Sequence, residues 1–175
     1  MPVASPRIRP LRAADAEPLW MIFHRAVHLR ARREYSAAQC AVWAPPVRSA
    51  EARTRWRHRL LRNQPVVVEW EGVPVGFADV QANGYIDQFF VDPEVTGLGL
   101  ADRLMRHLLA TARARGPDVL YADVSLSAEA FFRRHGFAMV FRQVVWRDAM
   151  VFKNARMHRR LNRPRVCAEP PAATR

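Results

Sequence analysis

Cysteine is nearly absent, with Cys40 and Cys167 the only two in 175 residues. Two cysteines, one of them near the C-terminal end, make neither a disulfide framework nor a zinc site, and a reducing cytoplasm is the expected setting. Long apolar runs are missing too. None approaches the roughly 20 residues that a membrane span needs, and Met1 to Arg12 lacks the apolar stretch of a secretory signal. No internal repeat is found, so a repeat architecture is excluded. Acidic residues are the scarcer charge: 16 Asp+Glu stand against 28 Lys+Arg, for a formal net charge of +12 that is almost all arginine. Such a surface attracts nucleic acid, acidic lipids or a polyanionic cofactor, and because the charge is dispersed it does not choose among them. What is present is globular: half the residues are hydrophobic and a quarter are charged, enough for one domain with a real core.

The periodicity changes along the chain. Ile8 to Arg12 reads as a short strand. Ala13 to Arg32 reads as a helix, with Asp15 placed to cap it, Pro18 in its first turn, and Leu19, Trp20, Phe23 and Val27 at helical spacing. Ser36 opens a short helix through Trp43, which Pro45-Pro46 stops. Ser49 to Arg62 is a third, basic helix. The period then falls to two. Pro65–Trp70, Val73–Gln81 and Tyr85–Val91 form a meander turned at Glu71-Gly72 and Asn83-Gly84. Gly97 to Arg115 is helical, with Leu100, Leu104 and Leu108 on one stripe, and Gly116-Pro117 ends it. Val119–Val124 is a strand, Ser127–His135 a helix, and Phe137–Val145 and Ala149–Met157 are two final strands. This order describes a mixed α/β (α+β) single domain, a mostly antiparallel central sheet flanked by helices. The strand after the long helix should lie parallel to Tyr85–Val91 through a right-handed crossover. The domain is expected over residues 6–161, with a flexible Pro/Ala/Arg-rich tail over 162–175.

Chemistry is concentrated in Val91-Asp92-Pro93-Glu94-Val95-Thr96-Gly97-Leu98-Gly99-Leu100-Ala101, between a strand and an amphipathic helix. Two glycines and an alanine at a helix N-terminus let backbone N–H groups approach a ligand, and the helix dipole favours a phosphate there. The loop lacks the third glycine of a dinucleotide fingerprint and the Gly-Lys-Ser/Thr of a triphosphatase loop. A tight strand-to-helix turn made for packing alone is the competing reading.

Asn83 to Gly99 resembles the acetyl-CoA motif of the GCN5-related N-acetyltransferases (GNAT), in which a strand ending in Val-Asp-Pro is followed by a glycine turn and a helix. Ala128-Glu129-Ala130-Phe131-Phe132-Arg133-Arg134-His135-Gly136-Phe137 resembles that family's second motif, a helix ending in Gly-Phe. The resemblance extends over about Ile8 to Leu161. Tyr35-Ser36-x-x-Gln39-x-x-x-Trp43-Ala44-Pro45 and Tyr85-Ile86-Asp87 further resemble a bacterial subgroup of uncharacterised acetyltransferases.

The resemblance implies an acetyl-CoA-dependent N-acyltransferase acting by direct transfer to an amine in a ternary complex. The amides of Thr96, Gly97, Leu98, Gly99, Leu100 and Ala101 would hold the CoA pyrophosphate. The backbone of Phe89, Phe90 and Val91 would pair with the pantetheine arm, one amide polarising the thioester carbonyl. Tyr35, Gln39 and Trp43 would wall the acceptor pocket. Two departures stand out: Thr96 replaces the family's usual Gln or Arg, which removes a phosphate contact, and Phe132 stands where Tyr often donates a proton to the leaving thiolate. Water or Ser125 would then serve, or the thiolate leaves unprotonated, its pKa being near 8.5.

The acceptor arrives as an ammonium and must lose a proton. Asp87 and Asp123 fall near the ends of neighbouring strands, Ser125 two residues beyond the latter, and these are the candidate catalytic groups. An Asp acts as base at neutral pH only if burial raises its pKa. Structural pairing of each with an arginine is the competing reading. His24 and His28, one turn apart, lack a third metal ligand at sensible spacing, so no metal is expected. The arginines of the third helix read as a solvated basic face, with contact to the CoA 3′-phosphate or an anionic partner as the alternative. A CoA-binding regulator without turnover, and a nucleic-acid or ribosome-binding module reusing the fold, are the alternative functions. The latter rests on charge alone, since no helix-turn-helix, zinc finger or aromatic RNA-binding sheet is found. A cytoplasmic monomer or homodimer that does not engage a membrane is expected, and the acceptor amine is left open.

Overall fold

The computed structural model describes residues 5–46 and 49–161; the tail expected over 162–175, with Cys167, lies outside the described residues. Strands β1 (Arg7–Pro10), β2 (Val66–Trp70), β3 (Val73–Ala78) and β5 (Phe89–Val91) form an antiparallel sheet in the order β1-β2-β3-β5. Strands β4 (Tyr85–Ile86), β6 (Val119–Ser125), β7 (Ala138–Arg147) and β8 (Met150–Arg160) form a second in the order β4-β6-β8-β7. Among the described residues only β4 and β6 run parallel. The helices are α1 (Ala16–Arg25), α2 (Ala37–Trp43), α3 (Ala50–Asn63), α4 (Leu100–Arg115) and α5 (Glu129–Arg134).

Side-chain alternation sends β2 and β3 residues to two cores. Val67 and Phe77 pack with Trp20, Phe23 and Trp56 of α1 and α3, while Val68 and Ala78 pack with Leu100, Leu104 and Leu108 of α4. The Phe23 and Trp56 rings stack at 5.1 Å, a contact worth about 1 kcal/mol beyond its buried area. The other side of α4 presents Met105, Leu109 and Ala112 to Leu120, Ala122 and Phe132 of the second sheet and α5. Ser36 and Ser49 cap α2 and α3 as their spacing predicts, Ser36 in a reciprocal box with Gln39. No helix among the described residues is long and apolar enough to cross a membrane. At the far edge of the second sheet β7 exposes Met139, Val140, Phe141, Val144 and Trp146.

Several expectations are corrected. The strand read as Tyr85–Val91 breaks at Asp87-Gln88, and its halves join different sheets. The cause is a side chain: Asp79 Oδ1 takes the Asp87 N–H at 3.2 Å, while Asp79 N–H donates to Gln88 O at 3.1 Å. The helix read as Ala13–Arg32 changes pitch, with a π-helical turn at Ala26–Arg30 and a 3-10 turn at Ala31–Arg33. Asp15 does not cap it through its side chain; that carboxylate is buried against Arg9 at 2.7 and 2.8 Å and accepts Arg12 N–H at 2.7 Å. Helix α4 starts at Leu100 because Gly97 and Gly99 hold left-handed φ values of 89° and 70°. The final strands pair over a longer stretch than their spacing predicts, turning at Asp148-Ala149.

Candidate active site

Strand β5 is the edge of the first sheet. Its Phe89, Phe90 and Val91 pair with Ala78, Phe77 and Gly76 on one side, and no strand among the described residues pairs with the other. The parallel pairing of β4 with β6 ends at Ile86↔Ala122. Beyond it the sheets part, and a cavity of about 240 Å³ opens, lined by Phe89 and Phe90 from one side and Asp123, Val124 and Ser125 from the other. A free strand edge facing a cavity is a template for an extended amide-bearing ligand.

Strand β5 leads into the glycine turn. Asp92 is buried, accepts Glu94 N–H at 3.2 Å and is gripped by Arg25 of α1, which fixes the turn to the first helix. A Cβ placed on Gly97 or Gly99 would meet nothing within 4 Å. Glycine is needed there for the backbone angle, and open space lies above it. The unpaired N–H groups and the positive end of the 16-residue α4 lie at this turn. Thr96 donates its hydroxyl to Pro93 O at 2.6 Å and accepts from the guanidinium of Arg30. The π-helical turn thus delivers an exposed cation to the glycine turn.

Both candidate carboxylates carry an arginine. Asp87 accepts Arg59 Nε at 2.7 Å and a second guanidinium N–H at 2.5 Å, plus Asn63 Nδ2 at 2.6 Å. Burial pushes its pKa up, but the Arg59 bonds and charge outweigh burial and hold it below the ordinary value. The raised carboxylate is its neighbour Asp79, only 2 % exposed, which burial pushes to about 6 despite bonds from Gln81, the Asp87 N–H and Asn63. Asn63 Nδ2 bridges the two acids. At Asp87 the rise in pKa that a neutral-pH base would need is reversed by the arginine, the pairing named as the competing reading. Asp123 Oδ1 accepts Gln143 at 2.6 Å and Arg156 Nε at 2.7 Å. Tyr85 reaches its other oxygen at 3.4 Å, and burial with the charges of Asp123 and Asp87 pushes the phenol to about 12. Ser125 Oγ lies 3.2 Å from Ser127 Oγ.

The acetyltransferase (GNAT) domain family matches residues 31–158. The chain belongs to the GNAT acetyltransferases. It is 36 % identical over 139 residues, 79 % of this chain and 85 % of the relative, to the uncharacterized N-acetyltransferase YafP of Escherichia coli K12. A GCN5-related N-acetyltransferase from Rhodopseudomonas palustris superposes with a TM-score of 0.84 at 28 % identity, covering 92 % of this chain and 99 % of that one. YncA from Salmonella typhimurium, solved with its cofactor acetyl-CoA, superposes with a TM-score of 0.65 at 22 % identity, covering 97 % and 99 %. The two sheets flanked by helices are thus the GNAT fold.

Within this GNAT domain the other expected residues divide. Tyr35 and Trp43 line the cavity, their rings edge-to-face at 5.6 Å. Tyr35 OH donates to Lys153 O at 2.6 Å and accepts Leu126 N–H at 3.1 Å. Gln39 does not line it: its carbonyl closes the α2 capping box and its amide donates to Val151 O at 2.6 Å, so it struts β8 instead. Phe132 lines the cavity and packs on Phe89 and Phe137. His24 and His28 stack at 4.1 Å, and among the described residues no group of three or more His, Cys, Asp or Glu side chains could hold a metal. Sequence reasoning missed Arg30, Arg59, Asp79 and Arg147. For Arg59 the signal was diluted among the arginines of α3, and for Asp79 it was an acid in an otherwise buried strand end.

Proposed function

We propose that this acetyltransferase transfers an acetyl group from acetyl-CoA directly to an amine held with it in the cavity. The observation that carries the reading is the free edge of β5 running straight into a left-handed glycine turn at the start of α4. Acetyl-CoA supplies the acetyl group as a thioester. The amides of Thr96 to Ala101 hold its pyrophosphate, and Arg30 supplies the guanidinium that Thr96 cannot. Phe89, Phe90 and Val91 bind the pantetheine arm through the free strand edge, and one of their N–H groups polarises the thioester carbonyl.

Asp87 and Asp123, each already bound to an arginine, offer carboxyl oxygens to which the acceptor's ammonium donates. Asp87 stays ionised through neutral pH because of Arg59, so it attracts the acceptor without taking the proton, which leaves through water. The thiolate departs unprotonated or takes a proton from water or Ser125, since Tyr35 already spends its O–H on Lys153 O.

Calorimetric titration with acetyl-CoA, followed by thiol release over a panel of amines, tests the reading. Micromolar binding with turnover is expected. Binding with no turnover on any amine would leave a CoA-binding regulator, and no binding would overturn the proposal. In the same titration Arg30→Ala should weaken acetyl-CoA about tenfold, the effect of losing one exposed charge-assisted contact; an unchanged affinity would remove Arg30 from the phosphate site.

The pH profile checks the proton path. With the free amine as the reacting form and no protein base, log kcat/KM should rise with a slope near one toward the acceptor's own pKa, near 10 for a lysine-like amine. A plateau beginning near pH 6 would place Asp79 in the path instead.

A further inference from the structure

We propose that the acceptor is a small amine that also carries a carboxylate, and that Arg147 binds that carboxylate. This rests on the acetyltransferase reading of the cavity. Arg147 is the last residue of β7, next to the tight turn in which Asp148 and Ala149 hold φ values of 44° and 61°. Alternation puts Val145 and Arg147 on the same side of the strand, and both line the cavity. The guanidinium carbon sits 6.0 Å from the Trp43 ring and 5.8 Å from the Phe152 ring. Among the described residues this guanidinium makes no hydrogen bond and no ion pair.

The other charges of the cavity are spoken for. Asp87 is taken by Arg59, and Asp123 by Arg156. Arg147 is an exposed residue at the end of its strand; partial burial of its side chain and the nearby charge of Arg59 lower its pKa, against the opposite pull of Tyr85, Asp87 and Tyr35. The Trp43 and Phe152 rings hold the guanidinium by cation–π contact and leave its N–H donors free, and the planar fork of arginine suits a carboxylate. Another part of the wall has the opposite need. Asn154, which pairs with Ser125 in register, lines the cavity and leaves its amide Oδ1 buried with no partner among the described residues. That oxygen and the Asp123 side-chain oxygens accept N–H groups; Arg147 donates them. A molecule bearing an ammonium and a carboxylate answers both, whereas a polyamine would set a second cation against Arg147.

The test compares kcat/KM for small amino acids with that for their carboxamides and for simple polyamines, at saturating acetyl-CoA. The free carboxylate should be preferred at least 30-fold. Arg147→Ala should abolish that preference, chiefly through the acceptor KM, with neutral amines and the acetyl-CoA KM changed less than threefold. Arg147→Lys should keep part of it, because it retains the charge without the fork. Carboxamides or polyamines used as well as carboxylates by the native enzyme would overturn the inference, as would Arg147→Ala slowing all acceptors alike. Normal acetyl-CoA binding with no turnover on any carboxylate-bearing amine would overturn it too. Failure of acetyl-CoA binding itself would instead be the failure of the acetyltransferase reading, and the same titration on each variant tells the two apart.

Discussion

Gly99→Trp is expected to weaken acetyl-CoA binding more than 100-fold, close to 3 kcal/mol, while leaving the domain folded. The two parts follow from different facts. Gly99 holds φ at 70°, so any L side chain costs about 1 kcal/mol of backbone strain. For a chain of this size that lowers Tm by roughly 2–4 °C. Among the described residues nothing else resists the Cβ, which meets no atom within 4 Å. Leu100, Leu104 and Leu108 of α4 remain buried against the first sheet. The space that the indole enters is the space assigned to the pyrophosphate, so the steric loss falls on the ligand. Glycines with a folding role look different: a Cβ on Gly84 would stand 2.1 Å from Val119 O, and one on Gly76 3.0 Å from Phe90 O. Gly99→Ala, which adds only the Cβ, should lose about tenfold. Titration with acetyl-CoA beside a thermal melt separates binding from folding. A Gly99→Trp variant that binds within threefold of the native protein would move the phosphate site elsewhere.

The glycine turn was legible because its signal is local. Strand, Val-Asp-Pro, two glycines and an amphipathic helix lie within one short stretch, and each has a fixed physical meaning. The serine caps of α2 and α3 were legible for the same reason. What escaped depends on pairs far apart in the chain. Arg59 and Asp87 are 28 residues apart, and α3 carries several arginines that look alike until one of them faces β4. The break in the meander is set by the side chain of Asp79 capturing a backbone N–H eight residues on, which no period of two can register. The π-helical turn that brings Arg30 to Thr96 has no compositional mark. Gln39 shows the converse: a residue matched by motif can be used up by a capping box and a strut.

Arg59→Met should destabilise the protein at neutral pH by about 2 kcal/mol and lose part of that cost on acidification. Methionine keeps the apolar stem, so the change is chiefly electrostatic. The variant leaves Asp87, with 15 % of its side chain exposed, beside Asp79 with Asn63 as its side-chain hydrogen-bond partner and only the more distant charges of Arg62 and Arg147 to offset burial. Breaking a fully buried pair costs about 3–5 kcal/mol, and solvent access at Arg59, 37 % exposed, reduces it. The pH dependence separates the two acids. In the native protein Asp87 has a lowered pKa, so its contribution is fully present above the unfolded value, near 3.9, and is lost only as pH falls through the lowered folded value. Asp79 does the reverse: its raised pKa gives stability that is full below about 3.9 and is lost as pH rises through about 6. Without Arg59, burial, the largest effect at both acids, is opposed at Asp87 only by the Asn63 bond and the charges of Arg62 and Arg147, so the Asp87 pKa should rise. The gap in Tm between native and variant should therefore be about 4–8 °C at pH 7.5 and should narrow at pH 5. A gap that is constant or widens on acidification would mean that Arg59 acts through its packing. The ion pair would then not be what holds Asp87 ionised in the cavity wall.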